Sequence, residues 1–266
     1  YDKSWLRQHC LETESRAKRV HHPTTWGHDL VPRQVSFDEY ENDVAHRCDA
    51  YEAIRDYGMV HIVDGPPECG MAERLALKIG SLEDTNFGAI FDLKSDPDGS
   101  TVGATNLPAT LHTDNSYRNM PTGVIAIHCV QASEPGTGFS VFADGFNLAR
   151  KLEQADPEAY VALCSVPIMF NRRYQEAIIM ARAPIISRDR DGRVIGFRFQ
   201  DRSMAPMDIE PSQVDLVLDA IAELMTHIDD PRNQLKLRLA PGEAVLFDNH
   251  RLLHGRTGFT GPRHLQ

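Results

Sequence analysis

A histidine and an aspartate two residues apart are the side chains best suited to metal chemistry in this sequence. They are His112 and Asp114, in the run LHTDN. On an extended segment alternate side chains share one face, so this imidazole and this carboxylate can bind one divalent cation together. A third ligand must come from a distant strand, and His254, in LLHGR, is the best candidate. Two histidines and one carboxylate form a facial triad that leaves coordination positions open on Fe(II).

An arginine follows the distal histidine within the same C-terminal stretch. The guanidinium fork of Arg263 can hold a carboxylate through two parallel hydrogen bonds. If one end of 2-oxoglutarate binds the metal, Arg263 can pair with the carboxylate at the other end. The sequence therefore predicts Fe(II) as cofactor, with 2-oxoglutarate and O2 as co-substrates.

Short strands separated by turn signals dominate the chain from about residue 85 onward, and helices precede and interrupt them. Short apolar runs with turn signals between them predict strands at 58–63, 124–130, 140–143, 166–170, 183–187, 194–199, 235–239, 244–247 and 251–253. Helices are predicted at 37–56, 68–79, 144–154 and 211–227, the first with Ser36 as N-cap and Glu39 in a capping box. This order predicts a mainly β protein with flanking helices (α+β), built on a jelly-roll core.

Length, charge and cysteine spacing exclude several classes of protein. The 266 residues carry a formal charge of −10, which disfavours nucleic acid as a partner. No apolar run approaches ~20 residues, so no segment is predicted to span a membrane. The five cysteines have irregular spacing, which favours free thiols and a cytoplasmic location. We interpret residues 1–36 as a segment that wraps a single catalytic domain at 37–266.

Four motifs in a fixed order resemble a known enzyme family. They are HTDNSYRNMPTG followed by VIAIHCV, then ADGFN, and LAPGEAVLFDNHRLLHGRTGFTGPRHL near the C-terminus. The chain is similar along nearly its whole length to the γ-butyrobetaine and trimethyllysine hydroxylases, which are TauD-type Fe(II)/2-oxoglutarate dioxygenases. The resemblance implies a double-stranded β-helix of the TauD/clavaminate-synthase type. It also implies hydroxylation of an unactivated C–H bond with release of succinate and CO2.

The resemblance assigns roles to individual residues. His112, Asp114 and His254 match the iron ligands, which are also the catalytic residues, and Arg263 matches the arginine that binds 2-oxoglutarate. Ser140 falls where relatives carry a hydroxyl that supports the same co-substrate. Two other readings use the same metal ligands: a zinc hydrolase with a metal-bound water, and a non-catalytic cupin-like binding module. Arg263 disfavours the hydrolase, and the intact set of four residues disfavours the binding module.

The family extends beyond both ends of this sequence. A small N-terminal domain, zinc-binding in some members, normally precedes residues 5–10, and a further strand with one more aromatic residue follows Leu265. Nothing in the sequence offers that N-terminal site, so no zinc is predicted. Relatives are often homodimers, which makes a homodimer the expectation by analogy.

The relatives hydroxylate a carbon near a quaternary ammonium group that lies in an aromatic cage. The segment at 86–91 aligns with cage aromatics, so Phe87 and Phe91 are predicted to contact the cation, with Tyr117 as a third candidate. Asn115 stands where γ-butyrobetaine hydroxylases can carry a cage tyrosine, which argues against γ-butyrobetaine itself.

Basic residues suggest that the other end of the substrate is an anion. Eight arginines and four acids lie between Arg172 and Arg202. Arg118, Asp201 and Arg202 are predicted to line the substrate pocket, with an arginine offsetting the aspartate. HTDNSYR resembles the trimethylaminoethylphosphonate hydroxylase branch, and a phosphonate suits an added arginine. The predicted substrate is a small zwitterion with a quaternary ammonium at one end and a phosphonate or carboxylate at the other.

Overall fold

Short strands outnumber helices in the part of the chain that the computed structural model describes, residues 2–12, 14–15, 20–85, 88–95, 105–174 and 177–266. The strands are β1 (Gln34–Ser36), β2 (Met59–Val63), β3 (Leu93–Lys94), β4 (Ala109–His112), β5 (Val124–Gln131), β6 (Ser140–Asp144), β7 (Ile168–Arg173), β8 (Ile178–Ala183), β9 (Ile186–Arg188), β10 (Val194–Phe197), β11 (Leu235–Leu237), β12 (Ala244–Asp248), β13 (Leu252–Arg256) and β14 (His264–Leu265). The helices are α1 (Lys3–Gln8), α2 (Phe37–Asn42), α3 (Val44–Tyr57), α4 (Met71–Ile79), α5 (Gly145–Ala155), α6 (Pro157–Ser165) and α7 (Pro211–Asp229).

Two sheets form the centre of the fold. The major sheet has the strand order β1-β2-β12-β5-β14-β3, and the minor sheet has the order β11-β6-β13-β4. Strand β1 pairs with β2 in parallel, whereas the other pairs in these two sheets are antiparallel. Two hairpins, β7–β8 and β9–β10, stand apart from them. Most neighbours are distant in sequence, as a jelly roll requires.

Alternation along single strands explains how the two sheets pack. In β12, Val245 and Phe247 face the space between the sheets, whereas Ala244 and Leu246 pack against α2, α3 and α4. Phe142 of the minor sheet meets Phe247 edge to face, with ring centroids 5.3 Å apart. Burial of each such ring stabilises the fold by about 1.5–3 kcal/mol. The outer face of the minor sheet packs against α5, α6 and α7.

Local signals placed most of the longer elements correctly, but β1, β3, β8 and β14 were not predicted. The strand predicted at 183–187 is wrong, because the chain leaves β8 before Pro184 and enters β9 only at Ile186. The capping box of Ser36 and Glu39 is confirmed, but the single helix predicted at 37–56 is wrong. Asp43 adopts an extended conformation, ends α2, and caps α3 by accepting a hydrogen bond from the backbone of Ala45 at 2.7 Å. Helix α6 was not predicted, although Asp156 followed by Pro157 is a typical N-cap and N1 pair.

Two broader expectations can be compared with the fold. Among the described residues no helix is both long and apolar enough to cross a membrane. All five cysteines are free thiols, as their spacing predicts.

Candidate metal centre

The pairing of β4 with β13 brings the two candidate histidine ligands together. His112 lies directly opposite His254 in this pair, and their ring centroids are 4.6 Å apart. Their neighbours Leu111 and Leu253 belong to the cluster packed on the helical side, so the two imidazoles face the space between the sheets. The ring centroid of Phe247 lies 4.9 Å from that of His254, so an apolar side chain packs against this imidazole.

A turn, and not a continued strand, places the aspartate. Strand β4 ends at His112, and Asp114 lies in the turn that follows. The fully buried Asn249 holds this turn, because its Oδ1 accepts from the backbone N–H of Asp114 at 2.7 Å. Its Nδ2 donates to the carbonyls of Asp114 at 3.1 Å and Thr122 at 2.8 Å. The extended segment predicted through Asp114 is therefore wrong, but the turn still brings the carboxylate beside both histidines.

The three side chains converge closely enough to hold one metal ion. Asp114 Oδ1 lies 3.3 Å from His112 Nε2, and Asp114 Oδ2 lies 3.6 Å from His254 Nε2. His112 Nδ1 lies 2.7 Å from the carbonyl of Thr110, which orients the ring and leaves Nε2 for a metal. Two imidazoles and a carboxylate are the donor set of a non-haem Fe(II) facial triad, so the residues fit that metal.

The charge states of these groups suit metal binding. Burial raises the pKa of Asp114, but His254 and His112 outweigh that effect and hold the pKa at about 2. Burial lowers the pKa of His254 to about 4. At neutral pH Asp114 is therefore ionised and His254 is neutral, the forms in which both donate lone pairs to a cation.

A small pocket with two arginines lies near this centre. Arg263, Arg238 and Ser140 are among the side chains that line it. Arg263 is only 6% exposed and packs over the ring of Phe259, and burial together with the nearby charge of Arg256 lowers its pKa to about 10. No carboxylate within the described ranges pairs with Arg263. A buried guanidinium without a counter-charge is unfavourable on its own, so the pocket is suited to an anion.

Arg238 is a functional candidate that the sequence did not indicate. Its Nη2 donates to the carbonyl of Ser133 at 2.9 Å, whereas its buried Nε finds no hydrogen-bond partner in the described part of the chain. Strand β11 pairs with β6 so that Leu237 lies opposite Ser140, and this register carries Arg238 to the pocket. Nothing in the local pattern of β11 distinguishes this arginine from an ordinary surface residue.

Strand β6 relates the pocket to the metal centre. Phe142 lies opposite His254, and Ser140, two residues earlier on the same face, lies opposite Arg256. Two residues of a strand span about 7 Å. A five-carbon dicarboxylate can bridge a separation of this order, with one end at the histidines and the other in the pocket.

Two tyrosines lie near Asn115, the residue that follows Asp114 in the chain. The hydroxyl of the buried Tyr117 donates to Asn115 Oδ1 at 2.8 Å and lies 3.0 Å from the hydroxyl of Tyr174. The two rings meet edge to face, with centroids 6.5 Å apart. Burial raises the pKa of Tyr117, and Arg172 and Asp114 are close enough to influence it. The structure thus groups Asn115, Tyr117 and Tyr174, of which the sequence indicated only the first two.

The predicted polar substrate residues are divided between two places. Arg202 lies close enough to Asp114 and His112 for its charge to act on both. Asp201 is its neighbour in a short 3-10 turn, with Oδ1 3.9 Å from Arg202 Nε. Arg118 instead points towards Glu83, with 3.9 Å between Nη1 and Oε1.

Of the two predicted cage phenylalanines, the structure describes only Phe91. Phe91 is 46% exposed and precedes β3 at the edge of the major sheet. Phe87 lies outside the described residues. The aromatic pair beside Asp114 is instead Tyr117 and Tyr174.

Comparisons with known proteins identify the family. Residues 19–266 match the family described as Taurine catabolism dioxygenase TauD, TfdA family. The chain belongs to the TauD/TfdA dioxygenase family. A γ-butyrobetaine dioxygenase of Pseudomonas sp. (strain AK-1) is 31% identical over 274 residues, which cover 100% of this chain and 71% of that protein. The mitochondrial trimethyllysine dioxygenase of Mus musculus is 29% identical over 100% of this chain and 65% of its own length.

A solved structure supports the fold. The asparagine oxygenase in complex with Fe(II), 2S,3S-3-hydroxyasparagine and succinate superposes with a TM-score of 0.63 and 19% identity, over 86% of this chain and 82% of that one. The predicted jelly roll with flanking helices is confirmed. Family membership also confirms the enzyme class, an Fe(II)- and 2-oxoglutarate-dependent dioxygenase, and with it the predicted cofactor and co-substrates.

Proposed function

We propose that this TauD-family enzyme hydroxylates an unactivated C–H bond of a small zwitterion that carries a quaternary ammonium group. The anionic end of the substrate is a carboxylate or a phosphonate. The convergence of His112, Asp114 and His254 between the sheets is the observation that carries the chemistry. The substrate class is supported by relatives named γ-butyrobetaine dioxygenase and trimethyllysine dioxygenase.

In this proposal His112, Asp114 and His254 hold Fe(II), and Arg263 with Ser140 binds the distal carboxylate of 2-oxoglutarate. Bound Fe(II) supplies the O2 chemistry that couples decarboxylation of 2-oxoglutarate to C–H hydroxylation, with release of succinate and CO2. Arg238 adds a second positive charge to the pocket and orients the same carboxylate. Phe247 and the surrounding apolar side chains keep water away from the centre.

Tyr117 and Tyr174 are the side chains that we assign to the cationic end of the substrate. Each aromatic face that meets a quaternary ammonium contributes about 0.5–2 kcal/mol. Their mutual hydrogen bond and the contact with Asn115 fix the ring orientations. Arg202 is the nearest candidate for the anionic end, because its charge already acts on Asp114. Phe87 remains a predicted third aromatic contact.

A succinate-release screen tests the substrate class. Quaternary ammonium carboxylates and phosphonates are compared with neutral carbon isosteres in the presence of Fe(II), 2-oxoglutarate and ascorbate. We expect turnover only with the cationic compounds, and equal turnover with the isosteres would refute the proposed cation site. His112→Ala and Asp114→Ala should abolish substrate-dependent succinate formation, whereas retained turnover would remove these residues from the metal site.

A separate measurement tests the anion pocket. Arg263→Ala removes a charge-assisted contact of about 1.5–3 kcal/mol, so the KM for 2-oxoglutarate should rise roughly 10- to 150-fold, with a much smaller change for the substrate. Arg190→Ala, in the exposed turn between β9 and β10, is the matched control and should change neither constant. Equal rises in both KM values for Arg263→Ala would exclude a specific carboxylate contact.

The aromatic contacts can be tested with the same pair of ligands. Phe87→Ala and Tyr117→Leu should weaken binding of a trimethylammonium compound more than binding of its neutral isostere. A residue that only packs would weaken both equally, and that result would remove it from the proposed cage.

A further inference from the structure

A second group of metal-ligating side chains lies at the β3 edge of the major sheet. Cys69, Asp92 and His264 each offer one ligand atom, and these atoms all lie within 4.8 Å of one another. They come from three separate segments: the loop before α4, the residue before β3, and the first residue of β14. A thiol, a carboxylate and an imidazole together form a donor set that Zn²⁺ prefers.

Backbone and side-chain contacts hold these segments together. His264 pairs with Lys94 across β14 and β3, and its Nε2 lies 2.6 Å from Asp92 Oδ1. The backbone N–H of Gly70 donates to Gln266 Oε1 at 2.6 Å, which ties the residue after Cys69 to the end of β14. The three candidate ligands are thus brought together by the fold itself, since each segment is anchored to β14.

A buried histidine, His128, lies near His264 of the cluster. The backbone of His128 exchanges two hydrogen bonds with that of Gln266, at 2.8 and 2.9 Å. The side chain is fully buried, and its Nε2 lies 3.2 Å from the carbonyl of Pro66, in the loop that carries Cys69. Among the residues that the structure describes, none hydrogen-bonds its Nδ1. Buried polar atoms without a partner are uncommon and often mark the place of a water or ion.

We propose that Cys69, Asp92 and His264 bind one Zn²⁺, with a water molecule as the fourth ligand. The thiolate favours Zn²⁺ over Fe(II), so this site and the His112/Asp114/His254 centre differ in metal preference. Binding releases the proton of the Cys69 thiol. The expectation of no zinc concerned the N-terminal site of the family, whereas these three candidate ligands are scattered over the chain and form no sequence motif.

The site needs only a small rearrangement to accept the ion. Ligand atoms about 2.0–2.3 Å from a tetrahedral metal lie roughly 3.4 Å apart, so the contact of 2.6 Å between Asp92 and His264 must open by about 0.8 Å. Asp92 is 42% exposed and can make this movement. Lys94 Nζ, now 3.7 Å from Asp92 Oδ2, must turn away, and its side chain is 61% exposed.

The bound ion would connect the loop before α4 to the strand next to Arg263. The backbone N–H of Arg263 donates to Ser95 Oγ at 3.3 Å, and its carbonyl accepts from Ser95 N at 3.1 Å. Zinc at His264 therefore stabilises the β3–β14 edge beside the residue assigned to the 2-oxoglutarate pocket. The site is structural in character, and its existence does not depend on the proposed substrate.

Titration of the metal-free protein with Co²⁺ tests this site separately from the iron centre. Co²⁺ bound by a thiolate has an intense near-ultraviolet charge-transfer band, which a site built only of histidine and aspartate cannot produce. In the His112→Ala protein, where the iron centre does not compete for Co²⁺, we expect this band to saturate at one equivalent and to disappear when Zn²⁺ is added. Asp92→Asn retains a hydrogen bond to His264 but weakens the metal ligand, and should lower the apparent Co²⁺ affinity at least tenfold.

Matched variants decide the result. The band should be lost in Cys69→Ser and retained in Cys48→Ser, another exposed cysteine, and in His112→Ala. Circular dichroism confirms that the Cys69→Ser protein is folded, so that loss of the band reports loss of a ligand. Absence of the band in the unaltered protein, or its persistence in Cys69→Ser, would overturn the proposal.

Discussion

A buried ion pair joins the strands that carry the metal centre to the N-terminal part of the chain. Asp144 and Arg251 have side chains 0% and 2% exposed, and two hydrogen bonds of 3.0 and 2.9 Å connect them. The remaining guanidinium donors reach the carbonyls of Asp56 at 3.0 Å and Thr24 at 2.6 Å. Since Arg251 immediately precedes β13, this pair anchors the strand that bears His254.

Removal of either partner leaves a buried charge without compensation. Arg251→Met and Asp144→Asn should therefore each lower the free energy of unfolding by about 3–5 kcal/mol. A loss of that size is a large part of the 5–15 kcal/mol typical of folded proteins, and it corresponds to a fall in Tm of roughly 6–20 °C. The double variant should lose about 0.5–3 kcal/mol less than the sum of the two single variants, because the second substitution removes the unpaired charge.

Urea unfolding followed by circular dichroism measures all four proteins of this cycle. Arg232→Met is the matched control, because Arg232 pairs with Asp230 at 2.7 Å but is 80% exposed. The free energy of unfolding of this variant should equal that of the unaltered protein. Strict additivity of the Asp144 and Arg251 substitutions would refute the reasoning. So would single variants no less stable than the control.

Two further predictions concern turns, one at the metal centre and one immediately before β12. Asn249→Ala should lower the affinity for Fe(II), measured with Mn²⁺ as a spectroscopic substitute, about 10- to 100-fold, since Asn249 holds the turn of Asp114; unchanged affinity would contradict that role. Gly242→Ala should destabilise the protein by about 1–3 kcal/mol more than Gly192→Ala in urea unfolding. Both glycines have positive φ, but a Cβ at Gly242 would lie 2.1 Å from the carbonyl oxygen of Gly65, whereas one at Gly192 meets nothing. Equal losses would show that the close approach is unimportant.

The residue types that carry chemistry could be recognised without coordinates. His112, Asp114, His254 and Arg263 stand in short motifs whose order along the chain indicates a TauD-type dioxygenase. Strands such as β5 and β12 were predictable because each is a short, nearly continuous apolar run between turn signals. The helix break at Asp43 was missed since an N-cap inside an otherwise helical pattern competes with the surrounding residues.

Strand register and turn geometry came only from the tertiary structure. The pairing of His112 with His254 depends on which strands become neighbours, and long-range packing of two sheets decides that. Arg238 and Tyr174 reach their sites through pairings and contacts that no local pattern encodes. The amino-acid sequence by itself determined the chemistry available and the positions of most of the longer strands and helices. Only the fold decided which faces meet, because burial of apolar surface between distant segments selects their arrangement.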